Sequence, residues 1–281
     1  MSDKILQLLS RLTNSLVNRL SNVKRYLDYE LYMKAFKIYA DDIYVVTYPK
    51  SGTTLCQVIL FQMLNNGKVN FDHVNDVSPW IRNEVFKNNP VKKIKGRRVI
   101  KSHDYYNLFP RSHKGKIVYI YRNGCDVCAS LFHQKRNYNN PELTFEKHFE
   151  DMFGNGSMNW FRFNKDWFVN KRNYKILYLS YDQLIEDKRN SIIKLADFFN
   201  IDQKSFNIDT VLNLSSFDYM KENEQKFGEK PPVKPDKVYD NFIRKGVSGE
   251  GKAYLNTEQL SFFEKNMKLE LQEMVDKTFS C

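Results

Sequence analysis

Four short runs rich in β-branched and aromatic residues recur along this 281-residue chain: 43–48 (IYVVTY), 98–102 (RVIKS), 116–121 (KIVYIY) and 175–180 (KILYLS). They alternate with segments whose apolar residues fall at helical spacing, at 53–64, 125–135, 191–199 and 257–277. Strands that alternate with helices build βαβ units, and those build a parallel sheet covered on both faces. The expected fold is therefore α/β: one domain over residues 1–281, a central, mainly parallel sheet flanked by helices, and a P-loop-like strand–loop–helix for phosphate. Hydrophobic residues make up 42% of the chain, enough for a sizeable core.

The net charge of +11 draws anions: nucleotides, nucleic acid, acidic lipid or phosphorylated metabolites. Solubility alone explains it as well. Cys125 and Cys128 form a CxxC with no second pair at zinc-site spacing, and they read as ordinary helix residues. Four cysteines in a chain this long fit a reducing compartment. The apolar run at 5–9 is too short for a secretion signal and ends at Arg11, and no stretch is apolar enough to span a bilayer. A cytoplasmic location is expected.

Residues 4–38 read as a helix with Ile5, Leu8, Leu9, Leu12, Leu16, Val17, Leu20, Val23 and Leu27 on one face, interrupted by Arg11, Arg19, Lys24 and Arg25. Such a helix can lie on an anionic membrane. The reading adopted is that it packs on the domain's own core. Residues 227–251 carry glycines and prolines around Arg244 and Lys245, and read as a mobile flap closing on an anion.

The chemistry begins at Tyr48-Pro49-Lys50-Ser51-Gly52-Thr53-Thr54, between a strand and a helix. Ligands of open α/β sheets bind beyond the carboxyl ends of strands. A helix N-terminus there offers free N–H groups and the positive end of its dipole. Gly52 lets the backbone approach, Ser51, Thr53 and Thr54 add hydroxyls, and Lys50 adds charge. The pattern is neither Walker A nor GxGxxG.

TYPKSGTT resembles the 5′-phosphosulfate loop of cytosolic sulfotransferases that use 3′-phosphoadenosine 5′-phosphosulfate (PAPS), and the chain is identified as similar to that family from about residue 30 to 275. The resemblance implies that His103, in RVIKSH, is the general base and that Lys101 and Lys50 support the transition state. It implies a 3′-phosphate site of Arg122 and Ser130, closed by Arg244, Lys245 and Gly246. Tyr181, Ser215 and Phe217 match residues around the adenine. Leu55 stands where the family usually has Trp, and Gly251 replaces a further Trp. The family's dimer motif matches poorly near 252–261, which leaves a homodimer open.

The expected reaction is in-line transfer of a sulfuryl group from PAPS to a hydroxyl, with adenosine 3′,5′-bisphosphate (PAP) as product and no metal. The acceptor expected is a phenol, alcohol or sterol, held by Trp80, Phe86, Tyr105, Tyr106, Phe132, Phe153 and Trp160, and neither nucleic acid nor a transmembrane segment is expected. Two rivals remain. A nucleotide kinase with a degenerate phosphate loop would need ATP and Mg²⁺. A basic, non-enzymatic binding protein for nucleotides or nucleic acid would show steep salt dependence and no turnover.

Overall fold

The computed structural model describes residues 3–68, 70–110, 113–138, 140–229 and 241–271, and excludes the side chains of 3–11, 18, 19 and 22. Residues 230–240 of the expected flap and 272–277 of the expected last helix lie outside the described residues.

Strands β1 (Ile43–Thr47), β2 (Val99–Ser102), β3 (Lys116–Tyr121) and β4 (Ile176–Ser180) form one sheet in the order β2-β1-β3-β4. Every pairing is parallel. Side chains alternate between two cores, as the two-residue period of a strand requires. Tyr44 and Val46 of β1, with Ile117 and Tyr119 of β3, enter the core on one face. Ile43, Val45, Val118 and Ile120 enter the core on the other. Burial on both faces explains why these strands read as near-continuous apolar runs. The chain steps from β1 to β2 on one side, then to β3 on the other, so the sheet reverses direction at β1.

The helices are α1 (Asp3–Phe36), α2 (Thr53–Asn65), α3 (Val74–Val77), α4 (Ile81–Phe86), α5 (Gly124–Tyr138) and α6 (Phe145–Phe153). They continue with α7 (Trp160–Val169), α8 (Tyr181–Glu186), α9 (Lys188–Phe199), α10 (Ile208–Leu214), α11 (Phe217–Glu222) and α12 (Thr257–Leu271). α3, α6, α7, α8, α10 and α11 have side-chain caps in place of a long apolar period. Thr144 caps α6 by accepting from Lys147 N–H, and Asn159 caps α7 by accepting from Arg162 N–H. None of the described helices is long and apolar enough to cross a membrane.

The expectation that residues 4–38 pack on the domain's own core holds only near the C-terminal end of α1. Tyr29, Tyr32, Met33 and Phe36 are buried there, while Leu12, Leu16, Leu20, Val23 and Leu27 are exposed. The reason is angular. At about 100° per residue, positions 29, 32, 33 and 36 fall on the side opposite the long apolar stripe.

Arg98 ties that buried end to the sheet. It donates from Nε and Nη2 to the two oxygens of Asp42 at 2.7 and 2.6 Å. It also donates to the carbonyls of Phe36 and Lys37 at 2.9 and 2.6 Å. Both partners are almost fully buried. Removing one member of such a pair strands the other charge. Asp42→Ala should therefore cost about 3–5 kcal/mol in urea unfolding. A loss below about 1 kcal/mol, the scale of a surface pair, would show that water reaches Arg98.

Candidate active site

Each strand ends at a residue aimed at one place. β1 runs into the loop that carries Lys50, β2 into His103, β3 into Arg122, and β4 into Tyr181. Beyond those carboxyl ends lies a cavity of about 340 Å³. Lys50, Gly52, Thr53, Thr54 and Leu55 line it from the first loop and α2, and Lys101 and His103 line it from the end of β2. Arg122 and Ser130 close one side, with Tyr181, Ser215 and Phe217 beside them and Arg244, Lys245 and Gly246 opposite. Of the expected nucleotide residues, Ser51 alone is absent from the lining. It is buried in the same turn, and its hydroxyl has no partner.

The first loop needs its glycine. Lys50 and Gly52 sit at φ 68° and 94°, in the left-handed region. A Cβ on Gly52 would stand 2.7 Å from Tyr181 Cδ2. The turn therefore lies flat against Tyr181 and aims the start of α2 at the cavity. Thr53 Oγ1 lies 2.6 Å from Thr47 Oγ1, which joins α2 to β1. Lys50 Nζ sits 4.3 Å above the Phe242 ring and donates to the Phe242 carbonyl at 3.5 Å. Burial lowers the Lys50 pKa to about 8, and Arg122, Lys101 and Arg244 add to that effect while Glu229 opposes it.

His103 is fixed through one nitrogen. Its Nδ1 lies 2.8 Å from the Thr47 carbonyl, which can only accept, so Nδ1 carries the proton and Nε2 the lone pair. Trp80 packs edge-on against the imidazole with ring centroids 5.1 Å apart. Lys101 Nζ lies 4.9 Å from the Trp80 ring centroid. Burial lowers the His103 pKa to about 3, helped by the charges of Lys101 and Lys50 and opposed by the bond to Thr47. The imidazole is therefore neutral near pH 7.

The second anion site is built from two distant segments. Arg122 donates to the Lys50 carbonyl at 3.1 Å and the Val247 carbonyl at 2.8 Å, and stacks on Tyr181 at 4.2 Å. Arg244 donates to Glu250 at 2.8 Å, and Lys245 pairs with the same carboxylate. Asp126 lies in the first turn of α5. Its two oxygens accept the N–H groups of Gly249 and Gly251 at 2.8 and 2.7 Å, and so hold the segment that carries Arg244. Gly251 is the position where the resemblance led us to expect Trp. A Cβ there would lie 2.1 Å from the carbonyl carbon of Cys125, so this backbone admits only glycine. Ser215 borders the cavity, but its hydroxyl donates to the Val211 carbonyl at 2.7 Å.

The expected acceptor aromatics separate. Trp80 lines the cavity and the other six do not. Phe153 and Trp160 are core residues packed on Phe263. Tyr106 is buried against Trp167, Phe132 packs on Phe145, and Tyr105 packs on Phe163. Phe86 is exposed beneath Arg25. Aromatic richness here serves the packing between sheet and helices more than the cavity.

A strand–loop–helix cradle for one anion, an arginine pocket for a second, and a histidine between them match one known architecture. The sulfotransferase domain model matches residues 40–278. The chain belongs to the sulfotransferase family. It is 33% identical over 241 residues to the 3-beta-hydroxysteroid sulfotransferase of Cavia porcellus, covering 82% of this chain and 83% of that one. It is 30% identical over 263 residues to the amine sulfotransferase of Oryctolagus cuniculus, covering 85% and 83%. The crystal structure of mouse sulfotransferase SULT7A1 complexed with PAP superposes with a TM-score of 0.66 at 26% identity, covering 85% of this chain and 87% of that one. The kinase and non-enzymatic readings fall with this match.

The co-substrate of this sulfotransferase is PAPS, and the residues present fit it. Arg122 Nε and Arg244 Nε are buried without a partner beside the cavity, as is Ser51 Oγ in the loop. These are orphaned donors, which phosphate oxygens satisfy. Several lining residues escaped the sequence reading. Gln134 lies one turn beyond Ser130 on α5, and its buried Oε1 is unpartnered. That i, i+4 spacing was the available signal. Lys188 donates to the Ser215 carbonyl at 2.6 Å, and Glu229 faces Lys50 and Lys101. Neither belongs to a local motif.

The Asp126 clamp yields a test. Asp126→Ala removes the acceptor for two backbone donors, and each charged hydrogen bond is worth about 1.5–3 kcal/mol. PAP affinity, measured by calorimetry, should fall at least about tenfold. Unchanged affinity would show that the segment around Arg244 is held by other contacts.

Proposed function

We infer that this sulfotransferase transfers the sulfuryl group of PAPS to a hydroxyl of a small, apolar acceptor, with His103 as general base. The observation that carries the reading is the tautomer of His103. Its Nδ1 is committed to the Thr47 carbonyl, which leaves Nε2 free to take a proton beside Lys50 and Lys101. A base for a hydroxyl must be unprotonated and within reach of it.

PAPS supplies the activated sulfuryl group. Lys50, with Ser51, Gly52, Thr53 and Thr54, would hold its 5′ end at the start of α2. Arg122, Ser130, Arg244, Lys245 and Gly246 would hold the 3′-phosphate. Tyr181 and Phe217 would frame the adenine, with Leu55 offering apolar contact in place of a stacking Trp. Lys50 and Lys101 stabilise charge that develops as the bond to the leaving group lengthens. Positioning and fixed charge of this kind supply most of the catalysis in group transfer of this class.

A phenol, alcohol or sterol fits the apolar wall that Trp80 presents, and among these we favour a hydroxysteroid. Similarity to the 3-beta-hydroxysteroid enzyme of Cavia porcellus supports that choice. One observation favours a second acceptor, a basic amine. Glu229 lines the same cavity, and the chain is similar to an amine sulfotransferase. Turnover of a hydroxysteroid and of an arylamine with PAPS separates the two.

His103→Ala should abolish turnover and leave PAP affinity nearly unchanged; parallel loss of both would remove the base assignment. Lys50→Ala should lower turnover by more than about a hundredfold, as loss of a transition-state charge contact does. Retained activity would refute that role.

The pH profile tests the same site. kcat/KM reports groups of the free enzyme. A His103 pKa near 3 lies below its ordinary value, so the base stays unprotonated down to that range. No acid limb from His103 is expected between about pH 5 and 7, where an ordinary histidine titrates. Lys50 loses its proton as pH rises through about 8, so kcat/KM should fall on that side. A limb near the ordinary histidine value would show that water reaches the imidazole.

A further inference from the structure

α1 carries an apolar stripe that the fold leaves uncovered. Leu12, Leu16, Leu20, Val23, Leu27 and Leu31 are each more than half exposed, and Val17 and Tyr26 flank them with similar exposure. At about 100° per residue these positions cover roughly half of the helix circumference. Tyr29, Tyr32, Met33 and Phe36, which seat α1 on the body, lie on the opposite side. The stripe therefore faces away from the protein.

Its period decides what can cover it. In sequence the stripe runs through positions 5, 9, 12, 16, 20, 23, 27 and 31, a mean spacing of about 3.7. A coiled-coil seam repeats every 3.5 residues and is narrow. An 11-residue repeat, at 3.67, tracks an almost straight helix. A straight stripe half a circumference wide suits a flat apolar boundary better than a partner helix.

Charge points the same way. Residues 11–31 carry Arg11, Arg19, Lys24 and Arg25 against Asp28 and Glu30, a net positive stretch in which Lys24 pairs with Asp28 at 2.5 Å. By helical position Arg19 and Lys24 fall at the two edges of the stripe. By the same count Arg11 and Arg25 fall on the opposite side of the helix, and Arg25 lies over the Phe86 ring. A second copy laid on this stretch would bring cations against cations. Anionic headgroups would meet them favourably, and long basic side chains at the edge of an apolar face reach such headgroups.

We propose that α1 docks this enzyme on an anionic membrane surface, with the stripe from Leu12 to Leu31 seated at the boundary between headgroups and acyl chains. The full-length protein is sedimented with vesicles of phosphatidylserine mixed with phosphatidylcholine, and with phosphatidylcholine alone. The wild type should pellet with the anionic vesicles and far less with the neutral ones. Leu20→Glu with Leu27→Glu should cut binding at least about tenfold, given what burying a leucine is worth. Arg19→Ser with Lys24→Ser should cut it about tenfold or more, and added salt should do the same. The shift in melting temperature on adding PAP serves as the fold control and should be unchanged in both variants. Wild-type protein that stays in the supernatant, or that binds neutral vesicles equally well, overturns the proposal. So does a dimer, seen by light scattering, that Leu20→Glu with Leu27→Glu makes monomeric, because the stripe would then belong to a second copy.

Discussion

Mutual repulsion among buried cations is the constraint around which this site is built. Lys50, Lys101, Arg122 and Arg244 share one cavity, and each lowers the charged state of a neighbour or is counted against it. The fold parks them separately. It does so mainly on neutral acceptors. Lys50 rests on the Phe242 ring and carbonyl, Lys101 lies over Trp80, and Arg122 donates to two carbonyls. Arg244, with Lys245, takes the carboxylate of Glu250, and Arg122 lies 3.8 Å from that of Asp126. Neutral parking keeps the cavity positive, so an incoming phosphate finds charge that has not been cancelled.

Parallel topology is what makes such crowding affordable in space. Four strands ending on the same edge deliver four loops to one place, and the reversal at β1 opens the crevice between them. The last wall comes from a segment more than a hundred residues downstream, which no strand delivers. Asp126 supplies that link by accepting two backbone N–H groups from it. The missing Cβ at Gly251 lets the segment press onto the first turn of α5. The departure from the family's Trp and the Asp126 clamp are thus one adaptation: close backbone contact where a large ring would otherwise sit.

The strands and the first loop were legible because their signals are local. A two-residue alternation, a glycine at positive φ and a lysine beside hydroxyls can all be seen within a few positions. The same holds for His103 and Arg122, each placed just past a strand. The acceptor aromatics were not legible. Phe153, Trp160 and Tyr106 look like pocket residues in sequence, yet they join a continuous edge-to-face cluster under the sheet. Nothing in an aromatic's own neighbourhood says which side of a helix the cavity lies on. The orientation of α1 failed for a related reason. Its outward stripe and its docking residues are both apolar, and only the contacts of Tyr29 and Phe36 tell them apart.

The cations around the cavity also set the proton affinity of His103. Burial, Lys101 and Lys50 hold its pKa near 3, so the imidazole is neutral and weakly basic. An anion seated beside those lysines offsets their field and favours the imidazolium. Basicity therefore rises when the site is filled, and the proton of a hydroxyl gains a better acceptor where it can be used. The bond from Nδ1 to Thr47 acts in the same sense, because a carbonyl accepting from the ring stabilises the cation that forms. Thr47 is the last residue of β1, and Thr53 beside it opens α2. The base and the phosphate loop are thus fastened to the same strand end, and the geometry of one cannot drift without the other.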